Sequence, residues 1–220
     1  RRQMNKRTLL ARRLLVLLLA LCLCLPSVLC AAAADGTDTV YIDSASDFEA
    51  FVKNCALDTW SQGKTVVLRT DISLAGMDCA PAASFGGTFD GGGHTISDFD
   101  LTGSYSPAGL FGTIQPSGRV ENLQVAGSVA AGGDQTVCGG IAGENYGRIV
   151  CCSFTGMVQG DTQIGGLVGC NELSGEIISS TFTGMVQATN DTGGIAGRTS
   201  GQLMDCVNTG APRRRRPCGH

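Results

Sequence analysis

One short pattern returns along this chain at nearly constant distance. GGIAG at 139–143 reappears as GGLVG at 165–169 and again as GGIAG at 193–197. SFTGMVQ at 153–159 follows the first copy and TFTGMVQ at 181–187 the second, while AGLFG at 108–112 and LQVAGSV at 123–129 are looser, earlier versions. A fixed period of this size marks a repeat architecture, in which each unit is too small to bury its own apolar face and must stack on its neighbours.

Each unit can be set out from an apolar residue: Ile96, Val120, Ile149, Ile177 and Leu203, spaced by 24, 29, 28 and 26. Three residues on stand Phe99, Leu123, Cys152, Ser180 and Cys206, and five on stand Leu101, Val125, Phe154, Phe182 and Asn208. Seven on, every unit has glycine: Gly103, Gly127, Gly156, Gly184 and Gly210. Nine on come Tyr105, Val129, Val158 and Val186. Alternate positions project to one face of a strand, and no helical period fits. The expected fold is therefore all-β, a parallel β-helix whose turns lie about 4.8 Å apart on a shared apolar core. With 32 Gly in 220 residues and no G-X-Y period, glycine is expected at the corners, where φ is positive or backbones come close. A β-propeller or sandwich is the competing architecture, and the period is short for a four-stranded blade.

Upstream, SASDFEAFVKNC at 44–55 places Phe48, Phe51, Val52 and Cys55 on one helical face, with Ser46 and Glu49 as a capping box. This short helix is expected to cover the open end of the solenoid, followed by one or two strands in 65–74. The chain then divides into a cap over 35–83, repeats over 84–210 and a basic tail, APRRRRPCGH, over 211–220. The ladder asks for an apolar residue at 212 and meets Pro212, so the tail is expected to be foreign to the fold or disordered, at a truncated or uncapped C-terminal end. Residues 1–34 read as a secretory signal, with a basic segment, the apolar run LLVLLLALCLCL at 14–25 and AAAA at 31–34. Met4 is its expected start, with residues 1–3 as upstream sequence; an uncleaved anchor is the alternative.

Charge limits the partners. Between 35 and 212 six basic residues face all 19 acidic ones, which argues against nucleic acid. After residue 35 no stretch is long and apolar enough to span a bilayer.

At this point the sequence resembles the GLUG-motif repeat proteins, through SFGGTFDGGGHTISDFDLTG at 84–103, AGLFG, and the GGIAGENYGRIVCCSFTGMVQG and GGLVGCNELSGEIISSTFTGMVQ units. The cap segment DSASDFEAFVKNC with GKTVVLRTDISLAG also resembles the lead-in to such repeats. The resemblance implies a right-handed parallel β-helix of the pectate-lyase-like kind on a secreted or cell-surface bacterial protein. It also implies GLUG repeats as accessory regions beside some immunoglobulin A peptidases.

Little in the residues points to catalysis. His94 is the sole histidine in the repeat region, in a glycine-rich corner with an expected structural role; there is no HExxH. A pectate-lyase-like activity would require carboxylates holding Ca²⁺ and a basic residue on one face. Asp90, Asp98 and Asp100 are the best such cluster, Asp98 and Asp100 pointing outward, and Arg119 and Arg148 are expected on adjacent turns. Apart from Ca²⁺ there, no cofactor is expected. Of the eight cysteines beyond the leader, Cys152 and Cys206 share an inward position two turns apart, about 10 Å and too far to bridge. Cys55 with Cys79 is the one pair expected to form a disulfide, tying the cap to the first turn. Asn190–Thr192 matches a glycosylation sequon. The leading expectation is a non-catalytic, adhesin-like stalk or binding surface for host or environmental glycan or protein, part of a longer surface protein. The alternative is a carbohydrate-active β-helix enzyme, a polysaccharide lyase or glycoside hydrolase, or its accessory domain.

Overall fold

Three parallel sheets run side by side through the computed structural model, which describes residues 38–134 and 136–214. Face A holds Asp38–Ile42, Lys64–Leu68, Thr88–Asp90, Arg119–Glu121, Arg148–Val150, Glu176–Ile178 and Gln202–Met204. Face B holds Ile72–Ser73, Thr95–Gly103, Gln124–Ala131, Ser153–Gln159, Thr181–Ala188 and Val207–Asn208. Face C holds Ala82–Phe85, Phe111–Ile114, Ala142–Asn145, Val168–Asn171 and Ala196–Thr199. The chain visits A, B and C in turn and then begins again one layer along. This is the right-handed parallel β-helix expected from the repeats, with about six turns. The expected signal segment 1–34, the residues 215–220 and Cys218 lie outside the described residues.

The alternation read from the sequence is what fills the core. Val66, Phe89, Val120, Ile149 and Ile177 stack inward on face A, and Val125, Phe154 and Phe182 on face B, all essentially inaccessible to water. The rings of Phe154 and Phe182 are 6.3 Å apart and tilted by only 9°. Each buried side chain of this size stabilises the fold by about 1.5–3 kcal/mol relative to exposure.

The first unit corrects the ladder. Val120 pairs with Phe89, not Ile96; Ile96 pairs with Val125, and Leu101 with Val129. Two extra residues in the Gly91–His94 corner and a bulge between Ile96 and Phe99, with Asp98 at φ 56°, account for the slip. In consequence Phe99 lies opposite Gly127, and Gly103 lies opposite Ala131 rather than in the glycine column. The bulge is hidden in the sequence because its step of three from Ile96 to Phe99 equals the step across the A-to-B corner in later turns, as from Val120 to Leu123.

The glycines meet the expectation at the corner from face C to face A, where Gly118, Gly147, Gly175 and Gly201 leave no room for a β-carbon, but not at the corner from A to B. In the later turns the left-handed corner between faces A and B is taken by Asn122, Cys151, Ser179 and Asp205, with φ of 53°, 52°, 48° and 52°. Glycine is needed instead where backbones touch. At Gly127, Gly156 and Gly184 φ is between 147° and 159°, and a β-carbon would overlap the carbonyl oxygen of the preceding turn.

The helix Ala45–Asn54 closes the upstream end. Its N-cap is Ser44, two residues before the expected one. The Ser44 hydroxyl accepts from the Asp47 amide (3.2 Å), and the Asp47 carboxylate accepts from the Asp43 amide (3.1 Å). Phe51 sets its ring 5.4–6.3 Å from those of Phe89, Phe85 and Phe111, sealing the core. At the other end, Ala211–Arg214 form a further strand on face B, with Pro212 opposite Val186. The ladder thus continues four residues past the boundary expected at 210; a proline is tolerated there because it lacks only a donor on an outermost strand.

Candidate binding surface

The outward rows of the three faces differ in chemistry. On face A Arg119 and Arg148 stand in adjacent turns, as their spacing suggests. Each is paired with a carboxylate: Arg119 Nε donates to Glu121 (2.7 Å) and Arg148 Nε to Glu176 (3.0 Å).

The acidic candidates are distributed rather than gathered. Asp90 lies on face A, where it accepts from the Gly92 amide (2.9 Å) and Asn122 Nδ2 (3.1 Å). Asp98 and Asp100 are both exposed on face B, as expected. Asp98 accepts from the Ser73 hydroxyl (2.6 Å) and from Ser97 (3.0 Å), and these bonds hold its carboxyl below the usual carboxylate range. Asp100 accepts from Ser128. Among the described residues no three His, Cys, Asp or Glu side chains converge as metal ligands would. His94 Nδ1 sits 3.2 Å from Asp71, whose carboxylate also accepts from the Thr95 amide (2.9 Å), so the histidine pins a corner.

Cys55 and Cys79 are both buried and carry free thiols, in place of the expected bridge. They belong to different surroundings. Cys55 caps the helix, its carbonyl accepting from Ser84. Cys79 lies against the backbone of Asp100 and lines a cavity of about 90 Å³ with Phe48, Val52, Leu74 and Met77. Cys152 and Cys206 lie on either side of Ser180, whose hydroxyl accepts from the Cys152 amide (3.1 Å).

Two clusters escaped the sequence reading. Asn145 and Asn171 are fully buried where face C ends. Asn145 Nδ2 donates to Asn171 Oδ1 (2.8 Å), and Asn171 Nδ2 donates to the Gly175 carbonyl and to Thr199 Oγ1 (each 3.2 Å). On the outward side of the same face Glu144, Cys170 and Arg198 occupy one column. Cys170 donates to Glu172 (3.0 Å), and Arg198 approaches both Glu172 and Cys170 (3.3 Å each). Burial and the neighbouring Glu172 raise the pKa of Glu144. The signal for both clusters is the repeat itself: 145, 171 and 199 are six residues after the first glycine of each GGxxG, and 144, 170 and 198 are five.

Face B is different again. Its outward columns run Gln124–Ser153–Thr181, Ala126–Thr155–Thr183, Ser128–Met157–Met185 and Ala130–Gln159–Gln187, in register. None of these twelve side chains is charged and none is buried. The geometry offers repeated hydroxyls, amides and thioethers on a flat sheet.

A family model described as the GLUG motif matches residues 160–187, which include one GGxxG and the TFTGMVQ strand after it. Halomucin of Haloquadratum walsbyi (strain DSM 16790 / HBSQ001) is 36% identical over 92 residues; the match takes in 41% of this chain and 1% of halomucin. Among solved structures, that of a candidate immunoglobulin A1 protease from Bacteroides ovatus aligns with a TM-score of 0.58 at 20% identity, over 79% of this chain and 67% of the other, a likeness of fold.

Proposed function

For a chain that carries the GLUG motif on a right-handed parallel β-helix, we propose the role of a non-catalytic module of a longer extracellular or surface protein, serving as a rigid stalk and binding surface. The observation that carries this reading is the exact-register repetition of outward side chains from Ser153–Gln159 to Thr181–Ala188. A surface built this way makes the same weak contact at every turn, so its avidity grows with the number of turns engaged. Export and display fit the resemblance to halomucin and the signal-like first 34 residues. A carbohydrate-active role draws on likeness of fold, which does not by itself carry chemistry.

The test is incubation of the full chain with pectins, mucin glycans and neutral polysaccharides, with and without Ca²⁺. Retention on immobilised glycan or glycoprotein without new reducing ends or unsaturated products is the expected result. Turnover abolished by Asp98→Asn or Asp100→Asn would replace this reading with the enzymatic one.

A further inference from the structure

We infer that face B is the binding face and that its ligand is a neutral, extended polysaccharide rather than an anionic polymer. The inference rests on the binding-module reading and specifies its ligand class.

Charge carries the argument. Between 38 and 214 the chain has 18 acidic and eight basic residues, so an uncharged area of twelve side chains is set in an acidic body. Face A carries Arg119, Glu121, Arg148 and Glu176 outward, and face C carries Glu144 and Arg198. The grid on face B has none from Gln124 to Gln187; Asp100 lies at its upstream border, bonded to Ser128, and Arg213 stands opposite Gln187 at its downstream border. Recognition of a polyanion uses Arg forks or Lys ammonium groups. None of the twelve grid side chains is basic, and the acidic body would repel a polyanion.

The functional groups that are present match hydroxyl-rich chains. Thr155, Thr183 and Thr209 are exposed; Thr183 Oγ1 and Thr209 Oγ1 share a hydrogen bond of 2.9 Å, Thr209 also reaches the Phe182 carbonyl (3.3 Å), and the hydroxyl oxygens keep acceptor capacity toward a ligand. Met157 and Met185, each 37% exposed, lie side by side between the threonine and glutamine columns. They form a soft apolar strip against which the C–H face of a sugar ring can lie. Gln159 and Gln187 border it with amides that both donate and accept. Neighbours repeat about 4.8 Å apart across the turns and about 6.7 Å apart along a strand, so one extended chain meets the same groups several times. A compact monosaccharide would meet them once and bind weakly.

The experiment uses the full chain with three probes: an insoluble neutral glucan, a soluble neutral mannan and polygalacturonate. Retention on the neutral polymers and none on polygalacturonate is expected. Thr183→Glu and Met157→Glu, each placing one negative charge in the grid, should weaken retention at least tenfold. Leu173→Glu, which adds the same charge at a turn off the grid, should leave it unchanged. Thr183→Ser, which keeps the hydroxyl, should retain most of the binding, and circular dichroism should show all variants folded. Preference for polygalacturonate, indifference to the grid substitutions, or retention on none of the three would overturn the assignment of face and ligand. Cleavage of any probe would instead overturn the non-catalytic reading, so the two failures are distinguishable.

Discussion

Gly140 presses its bare α-carbon against the ring of Phe154, and one turn later Gly166 does the same to Phe182. The second glycine of GGxxG thus makes room for the phenylalanine of the following face B strand, which explains why GGIAG and SFTGMVQ recur together. A methyl on Gly140 would enter the Phe154 ring itself. Gly140→Ala is therefore expected to cost about 1–3 kcal/mol by overpacking, and Phe154→Ala about 3–5 kcal/mol by leaving a cavity. The double variant should lose clearly less than the sum, because the added methyl then occupies space the ring has vacated. Denaturant midpoints of the four proteins test this; strict additivity would show that the two residues do not share that space.

The buried amide column supplies a second prediction. Asn171 links Asn145, the Gly175 carbonyl and Thr199 at a point where the chain turns from face C. Asn171→Ala would remove the acceptor of Asn145 Nδ2 and leave it only the Glu176 carbonyl at 3.5 Å, at an expected cost of about 1–3 kcal/mol. Asn171→Thr, the residue that the next turn uses at this position, should lose less because it keeps one hydroxyl in the column. Equal losses in thermal unfolding would mean the column contributes only by its volume.

The parts of this fold that were legible in the sequence are those fixed by alternation. Phe154 over Phe182, Val158 beside Val186 and the glycine column from Gly127 to Gly184 follow from period-two spacing once the repeat is aligned. Where the first unit departs, at Ile96 and Gly103, the cause is a bulge whose step of three, Ile96 to Phe99, is the same as the corner step from Val120 to Leu123. The corner ladder was hidden for another reason: Asn122, Cys151, Ser179 and Asp205 share a backbone conformation but no side-chain chemistry. The uncharged face was equally hidden, since it is a property of three strands compared in register and not of any one of them.

That corner ladder makes Cys151 a strained residue. Its φ of 52° is a conformation in which Asn and Asp are enriched and in which other L-residues are disfavoured. Cys151→Asn, copying Asn122 of the preceding turn, should stabilise the protein by about 0.5–1 kcal/mol. The same thiol is exposed, whereas Cys55, Cys138 and Cys152 are buried and burial pushes each of their pKa values up to about 12. Alkylation of the native protein at pH 8, followed by peptide mapping, should label Cys151 and leave those three untouched until denaturant is added. Labelling of Cys152 at a comparable rate would contradict the inward ladder position.

Glu144 provides a pH-dependent prediction. Burial raises its pKa first, Glu172 adds to the rise, and Thr113 and Arg198 oppose it. A carboxyl whose folded pKa lies above its unfolded value binds more protons in the folded state across the interval between them. Its ionisation therefore costs stability above the folded pKa, and the cost disappears as pH falls below the unfolded one. Glu144→Gln is expected to stabilise the protein at pH 7 by under about 1 kcal/mol, because the site is only partly buried and solvent screens it. That gain should shrink as pH falls through the Glu144 titration. Arg198→Ala should enlarge the gain at pH 7 by removing the cation that opposes Glu172. A gain that stays constant across the titration, followed by thermal unfolding from pH 7 into the acid range, would show that Glu144 is not the group responsible.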